Sequence, residues 1–305
     1  MSVFPFQHLV FKGGGVKGIA YVGAMKALEE ANISAQINGF AGTSAGSIVA
    51  ALGACRISSD TLNTFLASTN YENFKDKGGI FNFVEDLASK FGPYEGDYFL
   101  NDWFKVFLQQ QNINPAITFE EVYAQFGTTL KVFSTDLNTQ KIQEFSVAKT
   151  PNVQIAMAVR ASMSIPMFFK AWQFPDANPS SHLYVDGGVM YNYPIDTFDN
   201  TNSPADATLG FFLADLQKAA PPNQLTYGVD QLETYIKSLF EALLNSQNWM
   251  IEKNLYESER TIQIDDLGIS ATDFSITPQQ VQALYHSGYT STRTFLQAFL
   301  GWFYP

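Results

Sequence analysis

The sequence predicts an α/β fold: a mostly parallel sheet covered by helices on both faces, with a helical C-terminal region behind it. Three observations carry this. Short apolar strands alternate with helical stretches as far as residue 215. Glycine-rich turns join strand to helix at 13–18 and again at 42–46. Hydrophobic residues make up 46% of the 305, against 15% charged, which is ample material for a core and too little charge for extended disorder.

The elements follow in order. His8-Leu9-Val10-Phe11 reads as a buried strand running directly into the glycines. From Val16 to Glu30 apolar residues recur on one helical face. Ile37 to Ala41 is a second strand, Ser44 follows at once, and the Ala-rich helix Ala45 to Ala54 has a surface small enough to pack tightly on a sheet. Residues 71 to 111 are aromatic-rich, with breaks at Gly78-Gly79 and Gly92-Pro93. They predict two amphipathic helices, roughly 81–90 and 98–111, as packing helices or as a mobile lid over an apolar pocket.

Lys131 to Thr135 is a strand, turned at Asp136 to Thr139 into a partner at Lys141 to Ser146. Val153 to Ser162 is helical, and Pro166 ends the local order. His182 to Val185 leads into Asp186, and Thr208 to Ala214 is the last clear strand. Residues 217 to 226, with Pro221-Pro222, read as loop or linker. The remainder reads as helical, notably 228–256, with an aromatic end at Phe299, Trp302, Phe303 and Tyr304. The expected organisation is a core over 1–216, carrying the insertion 71–111, with 217–305 packed upon it.

Composition narrows the function classes. Eighteen basic against 29 acidic residues give a net charge of -11, which argues against a nucleic-acid partner. An anionic membrane repels such a chain on average, so docking on one relies on apolar insertion, a local basic patch or a protein partner. The 27 Phe and 14 Tyr supply either a Phe-rich core or apolar surface for lipid. Cys55 is alone, so no intrachain disulfide forms, as suits a reducing compartment or a chain that needs no such staple. The N-terminus shows no secretory signal and no stretch has the length of a membrane span. A cytoplasmic or peripheral membrane protein is expected, with non-classical secretion as an effector left open.

Three motifs carry chemistry. Gly42-Thr43-Ser44-Ala45-Gly46 sits between strand and helix, the setting of a nucleophile elbow that exposes Ser44 Oγ near a helix N-terminus. Alone, the pentapeptide also fits a helix N-cap. Gly13-Gly14-Gly15-Val16-Lys17-Gly18 lets successive N–H groups converge on one oxyanion. The run also matches a dinucleotide fingerprint, but no acidic residue ends the next strand to bind ribose. Asp186-Gly187-Gly188 ends a strand, where desolvation raises a carboxyl towards a useful base. By itself it also fits a turn. The three histidines, His8, His182 and His286, stand at strand ends or on a polar helix and read as bland surface or strand-end residues rather than catalytic ones.

With the three blocks in this order, the chain resembles the patatin-like phospholipases over about residues 8 to 215. Val159 to Pro166 resembles the block before that family's aspartate, Val185 to Pro194 its extended aspartate block, and Phe133 to Leu137 part of its central strand. Lys12 stands where plant members carry an aspartate. The resemblance implies a three-layer α/β/α sandwich and metal-free, cofactor-free hydrolysis of acyl esters in membrane phospholipids. It implies Ser44 and Asp186 as a dyad, Gly13, Gly14, Gly15 and Ala45 as oxyanion donors, and Gly18, Gly42, Gly46, Gly187 and Gly188 as their support. A lipid acyltransferase or neutral-lipid lipase on the same dyad, and a silent membrane- or partner-binding module, remain alternatives. A protein or small-molecule activator also stays open.

Overall fold

The computed structural model describes residues 4–76, 89, 91–199, 205–217, 232–248 and 254–303. The expected helix at 81–90 (Ser89 excepted), the linker around Pro221-Pro222 and Tyr304 lie outside these residues.

A seven-stranded sheet runs in the order β4-β3-β2-β1-β6-β7, with β5 paired to β3 off that path. The strands are β1 His8–Phe11, β2 Gly39–Thr43, β3 Thr129–Asp136, β4 Lys141–Ser146, β5 Tyr184–Asp186, β6 Thr208–Ala214 and β7 Thr261–Asp265. From β3 to β7 the path is parallel, and β4 and β5 lie antiparallel on β3. All four residues of β1 are buried, as in a parallel strand covered on both faces. Leu9 and Phe11 enter the main core, whereas Val10 joins Ala41, Phe133 and Phe212 in a smaller cluster under Tyr193, Ile195 and Phe198. The expected α/β class with a mostly parallel, helix-flanked sheet is therefore the fold observed.

Helices α1 Ala20–Glu30, α2 Ala45–Ala54 and α3 Ser59–Ala67 follow the first strands. The predicted helix from Val16 begins instead as a 3-10 turn at Gly15–Ile19. Gly15 has φ +58°, and a side chain there would meet Ala271 O at 1.9 Å, so the chain must turn tightly before a regular helix starts. The aromatic segment forms a π-helical stretch Tyr98–Phe104 running into α4 Lys105–Gln110, and it buries Phe99, Leu100, Trp103 and Phe104. Helix α5 Phe119–Phe126 is bounded by a Thr118–Glu121 capping box and by left-handed Gly127. Helix α6 Ile155–Ser162 packs on β3 and β5.

The C-terminal region requires a correction. It contributes helices α7 Leu232–Ser246, α8 Leu255–Glu259 and α9 Pro278–Phe303, but β7 lies between them, so Thr208–Ala214 is not the last strand. Thr261-Ile262-Gln263-Ile264-Asp265 carries alternating β-branched residues that a helical reading of the tail overlooks. Helix α9 lies against α1, with Gly23 and Gly288 making the close backbone approaches. Its Phe299 packs on Phe4 and Phe6, at 5.7 and 5.2 Å between ring centroids, so this part of the aromatic end docks on the protein's own surface. Among the described residues no helix is long and apolar enough to cross a membrane.

Helix α2 meets β1 through Gly46, where a side chain would begin 2.3 Å from Phe11 O and 2.7 Å from Lys12 O. Gly46→Ala must therefore push α2 off the sheet. A loss of at least about 2 kcal/mol is expected in denaturant unfolding; an unchanged midpoint would show that the contact is not tight.

Candidate active site

Ser44 occupies the turn from β2 into α2 at φ 52°, ψ -129°, a conformation that costs on the order of 1–3 kcal/mol for a residue with a side chain. The surroundings hold it there. Its N–H donates to Ser162 Oγ at 2.8 Å, Ser162 Oγ donates on to Phe133 O, and Ser47 Oγ donates to Ser44 O at 2.6 Å. Gly42 makes room, since a side chain there would begin 2.3 Å from Gly46 O. Ser47 had no signal of its own in the sequence, and Ser162 stood out only within the block before the aspartate.

Asp186 ends β5, 0% exposed. Its N–H donates to Ser164 O, its carbonyl accepts from Thr135 Oγ1, and Gly188 N–H donates to Oδ1 at 2.7 Å. Burial pushes the carboxyl up to about 7, against the opposing pull of the Ser44 hydroxyl and the Gly188 N–H. Oδ2 makes no hydrogen bond of good geometry. The two side chains are thus within each other's influence without being locked together, as is common before substrate binds.

The glycine run completes the group. A side chain on Gly13 would begin 3.2 Å from Ser44 Cβ, and one on Gly18 3.0 Å from Ala45 Cβ, so the loop lies directly against the elbow. Gly13 N–H donates to Asn192 O at 3.0 Å and is committed there. Among the described residues, the N–H groups of Gly14, Gly15 and Ala45 donate to no protein acceptor. Gly187 packs against Phe133 O and Gly188 against Leu244, so both glycines answer to close approach. Lys12, buried, donates from Nζ to Leu213 O and lies 4.3 Å from the Phe212 ring centre. Burial, with Lys17 nearby, brings Lys12 down to about 7.

Gly15, Ser44 and Ala45 open onto an apolar cavity of about 90 Å³. Val22, Ile48, Val49, Leu52, Leu62 and Leu66 are among the residues that line it. Tyr71, Phe74, Phe99 and Trp103 line it too, which places part of the aromatic segment in the pocket wall. Each histidine is engaged elsewhere: His8 with Thr208 and Phe198, His182 with Asp136 at 2.8 Å, His286 with Thr290 on α9. Asp215, Asp265 and Asp266 bring carboxylates within 4.8 Å of one another, but Lys17 is paired to Asp266 at 2.9 Å.

An elbow serine, a buried carboxyl and a glycine loop are thus gathered on one α/β sheet, with the serine lining an apolar cavity. The sequence profile of the patatin-like phospholipases matches residues 9–199, and the chain belongs to that family. It is 29% identical to the uncharacterized protein YqhO of Bacillus subtilis, over 94% of this chain and 97% of that one. It is 28% identical to a probable lipid hydrolase, 463L, of Invertebrate iridescent virus 6, over 63% and 62% of the two chains. VipD of Legionella pneumophila shares the fold, with a TM-score of 0.68 at 16% identity over 97% of this chain and 68% of VipD.

The raised carboxyl has a stability consequence. A group protonated more readily when folded costs nothing below its unfolded value of 3.8, and destabilises the fold increasingly as pH rises from there to about 7. Each tenfold change in acidity corresponds to roughly 1.4 kcal/mol. Asp186→Asn is expected to melt higher than wild type at pH 8 and equally at pH 3.5. Equal melting at both would show that the carboxylate is not penalised by burial.

Proposed function

We propose that the protein hydrolyses fatty-acyl esters of membrane phospholipids with Ser44 as nucleophile and Asp186 as general base. The observation that carries this is the coincidence of a strained Ser44 that lines an apolar cavity and a buried Asp186 carboxyl, under the influence of the Ser44 hydroxyl, with its acidity shifted to about 7. A serine hydroxyl needs such a base to become a nucleophile, and no histidine is placed to provide it. Family membership and the probable lipid hydrolase among the relatives support a lipid ester as substrate.

The steps follow from the geometry. The acyl chain enters the cavity and brings its ester carbonyl over Ser44. Ser44 Oγ attacks the carbonyl carbon as its proton passes to Asp186. The oxyanion is held by the N–H groups of Gly14 and Gly15, with Ala45 N–H at the start of α2 as a further donor. Gly13 positions the loop through Asn192. Asp186 returns the proton to the departing lysophospholipid alcohol as the ester bond breaks and the acyl-serine forms. A water then gives its proton to Asp186 and attacks the acyl-serine, releasing the fatty acid and restoring the hydroxyl.

Ser44→Ala and Asp186→Asn should each lower fatty-acid release from mixed phospholipid vesicles by at least about a thousandfold. Circular dichroism should remain that of the wild type. Full activity in folded Asp186→Asn would remove the dyad. For the wild type, kcat/KM should rise with pH through about 7, as the carboxyl ionises. A profile flat from pH 5 to 9 would exclude Asp186 as the base.

Ile48 lies one turn beyond Ser44 on α2 and lines the cavity. Ile48→Trp should fill it, cutting turnover of long-chain esters about tenfold or more while sparing an acetyl ester. Equal loss for both lengths would place the acyl chain elsewhere.

A further inference from the structure

The turn that carries Asp186 is held from outside the segment 9–199. Helix α7 ends at Ser246, and the next residue, half-buried Gln247, reaches into this turn with its side-chain amide. Gln247 Nε2 donates to Gly188 O at 2.8 Å, and Gln247 Oε1 accepts from Asn192 N–H at 2.8 Å. The partners fix the orientation of the amide, because a carbonyl can only accept and an N–H can only donate. Leu244, on the last turn of α7, packs against Gly188 and leaves no room for a side chain there.

Each end of this clamp connects to a catalytic group. Gly188 N–H donates to Asp186 Oδ1 at 2.7 Å. Asn192 O accepts from Gly13 N–H at 3.0 Å, next to the proposed oxyanion donors. One side chain therefore ties the base, the turn between Gly188 and Asn192, and the glycine loop into a single hydrogen-bonded unit. We propose that Gln247 is a positioning residue of the hydrolase, fixing the aspartate turn relative to the glycine loop; this rests on the Ser44/Asp186 reading. Water can replace either bond at a half-buried position, so losing the clamp loosens the turn more than it unfolds the protein. Chemistry is sensitive to such loosening: a displacement of about 1 Å at reacting groups is enough to cost roughly a hundredfold in rate.

The test is steady-state hydrolysis of mixed phospholipid vesicles by the full chain with Gln247→Leu, alongside wild type and Asp186→Asn. Leu keeps the volume and removes both hydrogen bonds. If Gln247→Leu melts early, Gln247→Asn, one methylene too short to span both partners, is read in the same way. The expected result is kcat lowered about tenfold or more with KM unchanged. The acid limb of the pH–rate profile should also move to higher pH, because Gly188 N–H is no longer held against the carboxylate. A folded variant with wild-type kcat and pH profile, or with a loss in KM alone, overturns the proposal while an inactive Asp186→Asn leaves the dyad standing. Turnover by Asp186→Asn overturns the dyad and the role of Gln247 together.

Discussion

The site depends on how one edge of β3 is divided. Thr129–Phe133 pairs with parallel β2, and Ser134–Asp136 pairs with antiparallel β5. The two strands therefore approach along the same edge from opposite directions. Thr43 ends opposite Phe133 and Asp186 ends opposite Ser134, which are consecutive residues of β3. Backbone pairing, not side-chain attraction, brings the serine elbow and the aspartate together across 142 residues of sequence. Ser162 reinforces the meeting point by bonding both Ser44 N–H and Phe133 O. β1 then sets the glycine loop beside the elbow, because its last residue, Phe11, is in register with Gly42.

Burial makes this meeting useful and costly at once. Asp186 receives one backbone N–H at Oδ1 and none at Oδ2, so its charge is only partly compensated. A fully satisfied carboxylate would be more stable and a weaker base. Other buried charges near the site are better served: Lys17 pairs with Asp266, and Arg160 donates to Ser164 Oγ and to two backbone carbonyls. Among the described residues, the aspartate turn holds three unpartnered buried atoms, Asp186 Oδ2 and both amide atoms of Asn192, whereas Arg160 leaves only Nε without a partner. Strain at Ser44 and desolvation at Asp186 thus concentrate on the two groups assigned to chemistry, as expected when stability is traded for reactivity.

Local signals in the sequence identified much of this. His8–Phe11, Ala45–Ala54 and Lys141–Ser146 have the predicted bounds, because apolar periodicity with flanking glycines, or the polar turn at Asp136 to Thr139, defines them without tertiary help. The glycine loop, elbow and aspartate turn were legible as motifs, because the backbone conformations they require restrict residue choice. What escaped detection is what depends on distant partners. β7 is a short strand whose parallel partner lies nearly 50 residues away, and its polar Gln263 and Asp265 blur the apolar signal. The 3-10 start at Gly15 follows from the approach of Ala271, which no local pattern reports. Gln247 gave no sign either, since a glutamine just past a helix end looks like any solvated residue.

These missed features share one origin. β7 extends the sheet beside β6, Asp266 just after it pairs with Lys17, and Ala271 O accepts Val16 N–H. Gln247 closes on the aspartate turn from the preceding helix. The glycine loop and the aspartate turn are therefore each braced by residues beyond the family-matched segment. A strained elbow holds its geometry only where its surroundings over-determine it. In this chain those surroundings include Leu244, Gln247, Asp266 and Ala271, which makes the C-terminal region part of the scaffold of the proposed site.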